Sequence, residues 1–230
     1  MGFYFLSLIF SKHTKARAFR LRKNWLRIAL RILNIHVEKK GKSHSKPSLY
    51  VCNHRSFSDP LVVLRFLNAF VIAKAEVEGY PIINKGAELT GIVYVDRNNK
   101  NSREATRQKM VEVLQEGYNV LVYPEGTVGK NLETLPFKKG TFMEAAKHGI
   151  PVVPIAVEYK SGKDLWLIPN FIKHYLQQFS KWKTEVKCTF GPVIKSDDGS
   201  QLHIEAHRWI NQEIQKMQTN WSEFAKKDTI

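Results

Sequence analysis

The sequence predicts a single-domain α/β fold: a roughly seven-stranded, mostly parallel or mixed sheet flanked by helices, preceded by an amphipathic helical arm. Three observations predict it. Short apolar runs alternate with helix-patterned segments, and runs such as Val152-Val153-Pro154-Ile155-Ala156-Val157 are continuous enough for a sheet covered on both faces. The chain has 230 residues, 43% of them hydrophobic, and shows no internal repeat, low-complexity tract or second-domain boundary. Its first 37 residues contain no Asp or Glu, which sets them apart from the rest.

Residues 1–38 read as a basic arm on an α/β domain of residues 39–230. Leu21, Trp25, Ile28, Ile32 and Ile35 recur at helical spacing on one face, and Arg20, Lys23, Asn24, Arg27, Arg31 and Asn34 on another. Ahead of them lies the apolar, aromatic run Phe3-Tyr4-Phe5-Leu6-Ser7-Leu8-Ile9-Phe10. It is much shorter than the roughly 20 residues a bilayer span needs. It also precedes the charges, the reverse of a signal peptide. Leu6 occupies the position where a myristoylation signal has Ser or Thr.

The pattern is that of a helix lying in a membrane interface, or of one packed on the core with a solvated basic back. The formal net charge of +15 calls for an anionic partner. No zinc spacing or RNA-recognition aromatic motif is evident, and the charge gathers on the arm, so an anionic membrane surface is expected and nucleic acid is not. The expected location is peripheral or monotopic on the cytoplasmic face of a membrane. Cys52 and Cys188 suggest no disulfide framework and fit a reducing compartment.

Next comes the polar connector 39–47, read as a hairpin between short strands. Strands are then expected at Leu49–Cys52, Phe70–Lys74, Ile92–Asp96, Asn119–Tyr123, Val152–Val157, Leu165–Ile168 and Glu185–Phe190. Helices are expected at Pro60–Leu67, Ser102–Gln115, Phe137–Lys147 and His203–Phe224. In the last, Ile210, Ile214, Met217, Trp221 and Phe224 form one stripe for core packing.

The chemistry concentrates in Asn53-His54-Arg55-Ser56-Phe57-Ser58-Asp59-Pro60, a turn between a strand and a helix opened by Pro60. His54 and Asp59 are five positions apart, close enough for the carboxylate to orient the imidazole, as in a nucleophilic triad. No serine nucleophile accompanies them, so the base would act on a hydroxyl of the substrate. Asp59 before Pro60 is equally suited to capping the helix. Tyr123-Pro124-Glu125-Gly126-Thr127 follows another strand, and ligands of α/β sheets bind at such carboxyl ends. There Glu125 can accept hydrogen bonds from a polyol, and Gly126 admits close approach to the backbone. Gly91-Ile92-Val93-Tyr94-Val95-Asp96-Arg97 ends in a guanidinium fork suited to phosphate or carboxylate.

Together with Ile150-Pro151-Val152-Val153-Pro154-Ile155-Ala156-Val157, these segments resemble, in order, the four sequence blocks of the 1-acylglycerol-3-phosphate acyltransferase (lysophospholipid acyltransferase) family. The resemblance covers about residues 48–160. It implies that His54, held by Asp59, deprotonates a lysolipid hydroxyl, which attacks the thioester of acyl-CoA or an acyl-carrier protein without an acyl-enzyme. The acceptor would be 1-acyl-sn-glycerol-3-phosphate, giving phosphatidic acid. It further implies that Arg97 binds the acceptor phosphate, that Glu125, Gly126 and Thr127 bind its glycerol, and that Lys74 lies near the thioester. No metal or resident cofactor is implied, the acyl donor being a co-substrate.

One position departs from the family pattern. Val128 stands where the family usually has Arg after Glu-Gly-Thr, which opens a second acceptor class, a lyso-aminolipid of the lyso-ornithine type. Two rivals stay open: Cys52 as an acyl-accepting thiol, two residues from His54, and a non-catalytic lipid-binding protein.

Overall fold

The computed structural model describes residues 14–74, 91–96, 100–129, 131, 133–166, 168, 170–219 and 221. The Thr14 side chain accepts from the backbone N–H of Arg17 and so caps helix α1 (Lys15–Ile32). Asn34, with φ of 49°, ends that helical segment and turns the chain into β1 (Ile35–Lys40). There follow β2 (Leu49–Cys52), α2 (Asp59–Leu64), β3 (Ala69–Lys74), β4 (Ile92–Val95), α3 (Lys100–Gln115), β5 (Asn119–Val122), α4 (Gly140–Lys147), β6 (Val152–Tyr159), α5 (Phe171–Phe179), β7 (Thr184–Phe190) and α6 (Gly199–Thr219).

The seven strands form one mixed sheet in the order β1-β7-β6-β2-β5-β3-β4. The β2, β3, β4, β5 and β6 strands are mutually parallel, β7 runs antiparallel to β6, and β1 pairs parallel with β7. Five strands therefore end at one edge, where the chemistry-bearing turns emerge. Alternation along β2 divides its side chains between two cores. Leu49 and Val51 pack with residues of α3, α4 and α6, including Met110, Phe142 and Ile210. Tyr50 and Cys52 pack on the other face, with Leu26 and Leu30 of α1 and Val62 of α2.

Two expectations are corrected. Residues 39–47 make no hairpin, because Lys39 and Lys40 complete β1, whose partner β7 is parallel and remote in sequence. The strand expected at Leu165–Ile168 is absent from its described residues, 165, 166 and 168, because a short 3₁₀ turn (Gly162–Asp164) leads into them and Trp166 donates its backbone N–H to Arg55 O at 2.9 Å. That segment lies across the turn after β2 instead of joining the sheet. Helix α5 has no counterpart among the expected elements. Strand β1 runs across the expected division at residue 38.

Helix α1 lies where the arm was expected. Its buried side is Ala18, Phe19, Arg22, Leu26 and Leu30, and Arg22 donates to Ala69 O at 2.8 Å. The stripe Trp25, Ile28 and Ile32 faces outward. Ile35 leaves that stripe, since it opens β1 and is buried. No described helix is long and apolar enough to cross a membrane.

Candidate active site

Pairing of β2 with β6 reaches Cys52 and Ile155, and the Asn53 side chain then adds one more rung. Its amide donates to Val157 O and accepts from Val157 N–H, both at 2.8 Å. Past this rung the backbone leaves the sheet and His54 emerges at the carboxyl edge.

His54 Nδ1 lies 2.7 Å from Asp59 Oδ2. Asp59 is fully buried, and three further donors converge on it: Arg55 N–H at 2.6 Å and Ser56 N–H at 2.8 Å on Oδ2, and the Tyr159 hydroxyl at 2.7 Å on Oδ1. A carboxylate engaged by donors alone assigns the Nδ1 proton to the imidazole, so Nε2 carries the lone pair. Asp59 therefore reaches backward to the turn, and helix α2 has no side-chain cap. The His54 side chain is 23% exposed. It is open to a ligand on one side and rests on the Tyr123 ring on the other, with centroids 4.5 Å apart.

Glu125 supports the same histidine through the backbone. Its Oε1 accepts His54 N–H at 2.7 Å and its Oε2 accepts Leu135 N–H at 2.8 Å. Burial pushes this carboxyl up, with the two backbone donors, the Arg55 guanidinium and the His54 ring opposing. Both oxygens are thus used inside the protein. Gly126 closes the turn with φ of 74° and donates its N–H to Tyr123 O, and Thr127 beside it is exposed. A side chain at Gly129 would meet Glu125 Oε2 at 2.9 Å, while its N–H donates to His54 O at 2.8 Å. Val128 between them is half-buried.

Arg55 is buried beneath this turn. Its guanidinium donates to Gly129 O, Asn131 O and Glu158 Oε2, the last at 3.2 Å. Gln218 also donates to Glu158 Oε2, at 3.1 Å. Gln178 of α5 completes the shell, donating to Ser58 Oγ at 2.9 Å and accepting from Ser56 Oγ at 3.3 Å. Sequence reasoning missed Arg55, Glu158, Tyr159, Gln178 and Gly129. The legible hint was Glu158-Tyr159, two polar residues closing an otherwise fully apolar strand.

The fold thus brings together His54, Asp59, Glu125 and Gly126. Lys74 is the last residue of β3, opposite Val95, at the same sheet edge. Arg97 lies outside the described residues. Cys52 is fully buried, and burial followed by the nearby Asp59 charge pushes its thiol well up. A thiol without access or thiolate character is unsuited to carrying an acyl group.

The acyltransferase family profile matches residues 34–158, more than half of the chain. A chloroplastic 1-acyl-sn-glycerol-3-phosphate acyltransferase of Brassica napus is 35% identical over 116 residues, covering 50% of this chain and 34% of the relative. The lyso-ornithine lipid O-acyltransferase of Pseudomonas aeruginosa is 32% identical over 142 residues, covering 61% of this chain and 54% of the relative. The chain spans about half or less of the length of these relatives. The crystal structure of the 1-acyl-sn-glycerophosphate (LPA) acyltransferase PlsC of Thermotoga maritima superposes with a TM-score of 0.73 at 20% identity, covering 96% of this chain and 89% of that one, and so shares the fold.

Proposed function

The chain belongs to the acyltransferase family, and from that premise we propose that it moves an acyl chain from an acyl-CoA or acyl-carrier-protein thioester to the free hydroxyl of a lysolipid, 1-acyl-sn-glycerol-3-phosphate, at a membrane surface. The observation that carries this reading is the 2.7 Å contact between His54 Nδ1 and a buried Asp59 already held by three other donors. It leaves Nε2 as the one free basic atom of the turn.

In the reaction, the lipid hydroxyl gives its proton to His54 Nε2 as its oxygen bonds to the thioester carbonyl carbon. The tetrahedral adduct then breaks its C–S bond, and the departing thiolate takes the proton back. General base catalysis of this kind contributes about 10²–10⁴-fold. Asp59 stabilises the transient imidazolium, and Glu125 holds the backbone that carries the base. Arg97 is proposed for the acceptor phosphate, Gly126 and Thr127 for its glycerol, and Lys74 for the donor. The exposed Trp25, Ile28 and Ile32 of α1, in a segment without acids, support docking to an anionic bilayer.

A second acceptor is favoured by one position. Val128 supplies no anion-binding fork beside Thr127, and one relative acylates lyso-ornithine lipid. A lyso-aminolipid hydroxyl needs the same base and less phosphate recognition. A panel of lysophosphatidic acid and lyso-ornithine lipid against both donors, read by product mass spectrometry with His54→Ala as control, tests the reading. Product formed equally by His54→Ala would overturn the mechanism.

A further inference from the structure

Helix α5 is built inside out. Its buried residues include His174 and Gln178, whereas Ile172 and Leu176, four apart on the other side, are 67% and 61% exposed. Three residues beyond the helix, Trp182 is 89% exposed. Water gives such a helix little reason to fold this way. Neither nitrogen of the buried His174 ring has a hydrogen-bond partner among the described residues, which costs free energy, and the apolar side chains recover none by burial. The inward polar face is spent on the catalytic turn, through Gln178 to Ser56 and Ser58. The His174 ring lies 4.4 Å from that of Trp166, which in turn lies 5.3 Å from that of Phe57.

The segment that bears the outward face carries no acid of its own. Between Asp164 and Glu185 there is no acidic residue, while Lys173, Lys181 and Lys183 are present. Lys181 is committed to Asp164 and Lys183 to Glu185, which leaves Lys173 exposed on the helix itself. The face is also stitched to α1. Asn34, just past α1, donates its side-chain amide to Trp182 O and accepts Thr184 N–H at 3.0 Å. Both helices cover the same side of the sheet, where Leu26 and Leu30 of α1 and Phe179 of α5 join one core. Two acid-free segments with outward apolar residues therefore meet at one seam.

We propose that Ile172, Leu176 and Trp182 form a second membrane contact that seats on an anionic phospholipid bilayer together with α1 and places the His54–Asp59 turn at the lipid surface. This deepens the reading given under Proposed function and rests on its membrane clause. An apolar face that carries the exposed Lys173, on a segment without acids, matches an anionic interface. A lysolipid anchored by its chain would then meet His54 close to the plane in which it lies.

The two native cysteines are buried, so Leu176→Cys in the full chain can be labelled selectively with an environment-sensitive fluorophore. Phosphatidylglycerol-containing vesicles should shift its emission to the blue, and phosphatidylcholine vesicles much less. The pair Ile172→Glu and Leu176→Glu should weaken flotation with the anionic vesicles on the order of tenfold, with unchanged circular dichroism. An unshifted label on protein that floats overturns this inference alone. Protein that does not float at all overturns the membrane clause as well. A blue shift that follows protein concentration without vesicles, with dimers in sedimentation, would assign the face to a second copy. A label shielded without lipid and uncovered by deleting residues 1–13 would assign it to that segment. Either result overturns the proposal.

Discussion

The hydroxyl of Tyr159 donates to Asp59 at 2.7 Å, joining the last residue of β6 to the first residue of α2 across 100 positions of sequence. The bond sits behind the proton-handling pair, opposite the open edge of His54. Its strength should therefore be felt in turnover although Tyr159 touches no substrate. A hydrogen bond to a charged group is worth about 1.5–3 kcal/mol. Tyr159→Phe should lower kcat by about tenfold, leave KM for both substrates near its original value, and lower Tm by several degrees. A fall confined to KM would show that Tyr159 faces the ligand instead.

His54→Ala and Asp59→Asn should separate chemistry from architecture. Both should lose about 10²–10⁴-fold in acyl transfer. His54→Ala should keep its melting temperature within a few degrees, because its ring is partly exposed and makes one side-chain hydrogen bond. Asp59→Asn places an amide donor among four existing donors and should melt measurably lower, by calorimetry. Equal stability of the two variants would contradict the hydrogen-bond scheme at Asp59.

Glu125→Gln tests whether this residue serves the acceptor or the turn. Its two oxygens accept two backbone N–H groups, so a glutamine must turn its own NH₂ toward one of them. We expect a loss of about 1–3 kcal/mol in stability and a fall in kcat of equal size for every lysolipid acceptor. A loss that varies with the acceptor headgroup would give Glu125 direct contact with substrate.

Burial pushes up the carboxyls of Glu125, Glu158 and Asp164 against the pull of their cationic neighbours. Each is thus protonated at higher pH in the folded chain than in the unfolded one. Between the ordinary and the raised values the folded state binds more protons, so this contribution is present below that window and is lost as pH rises through it. Asp164→Asn removes one such group. It should flatten the decline of melting temperature with pH above about pH 4. An unchanged slope would assign the decline elsewhere.

Cys52→Ser should retain most turnover, because the thiol is fully buried and pushed toward its neutral form. Rapid-quench detection of an acyl group on the wild-type protein, absent from the variant, would restore the covalent alternative.

Much of the scaffold was legible because its strands are short, nearly continuous apolar runs, as at Leu49–Cys52 and Val152–Tyr159. The His54–Asp59 pair was legible because its contact is local. What escaped was non-local or inverted in polarity. Strand β1, with His36, Glu38, Lys39 and Lys40, is an edge strand whose partner lies some 150 positions away. Helix α5 hides His174 and Gln178 and shows Ile172 and Leu176, the reverse of the pattern that marks a helix in water. Around Glu125 the sequence marks a ligand-facing carboxylate, but it does not disclose the two backbone amides that this carboxylate also accepts. Arg22 interrupts the stripe of α1 that packs inward, so the outward stripe was the more visible one.

The extra rung made by Asn53 has a further consequence, for insertions and deletions. Successive strand residues point to opposite faces, so removing or adding one residue between Leu49 and Asn53 would exchange the contents of the two cores and turn His54 away from Asp59. Diversity at the turn itself meets no such barrier where side chains are not fully buried, as at Phe57. Variation in this part of the chain is therefore confined to spelling at positions such as Phe57 and closed to length: the letter there can change, but not the count of residues that leads up to His54.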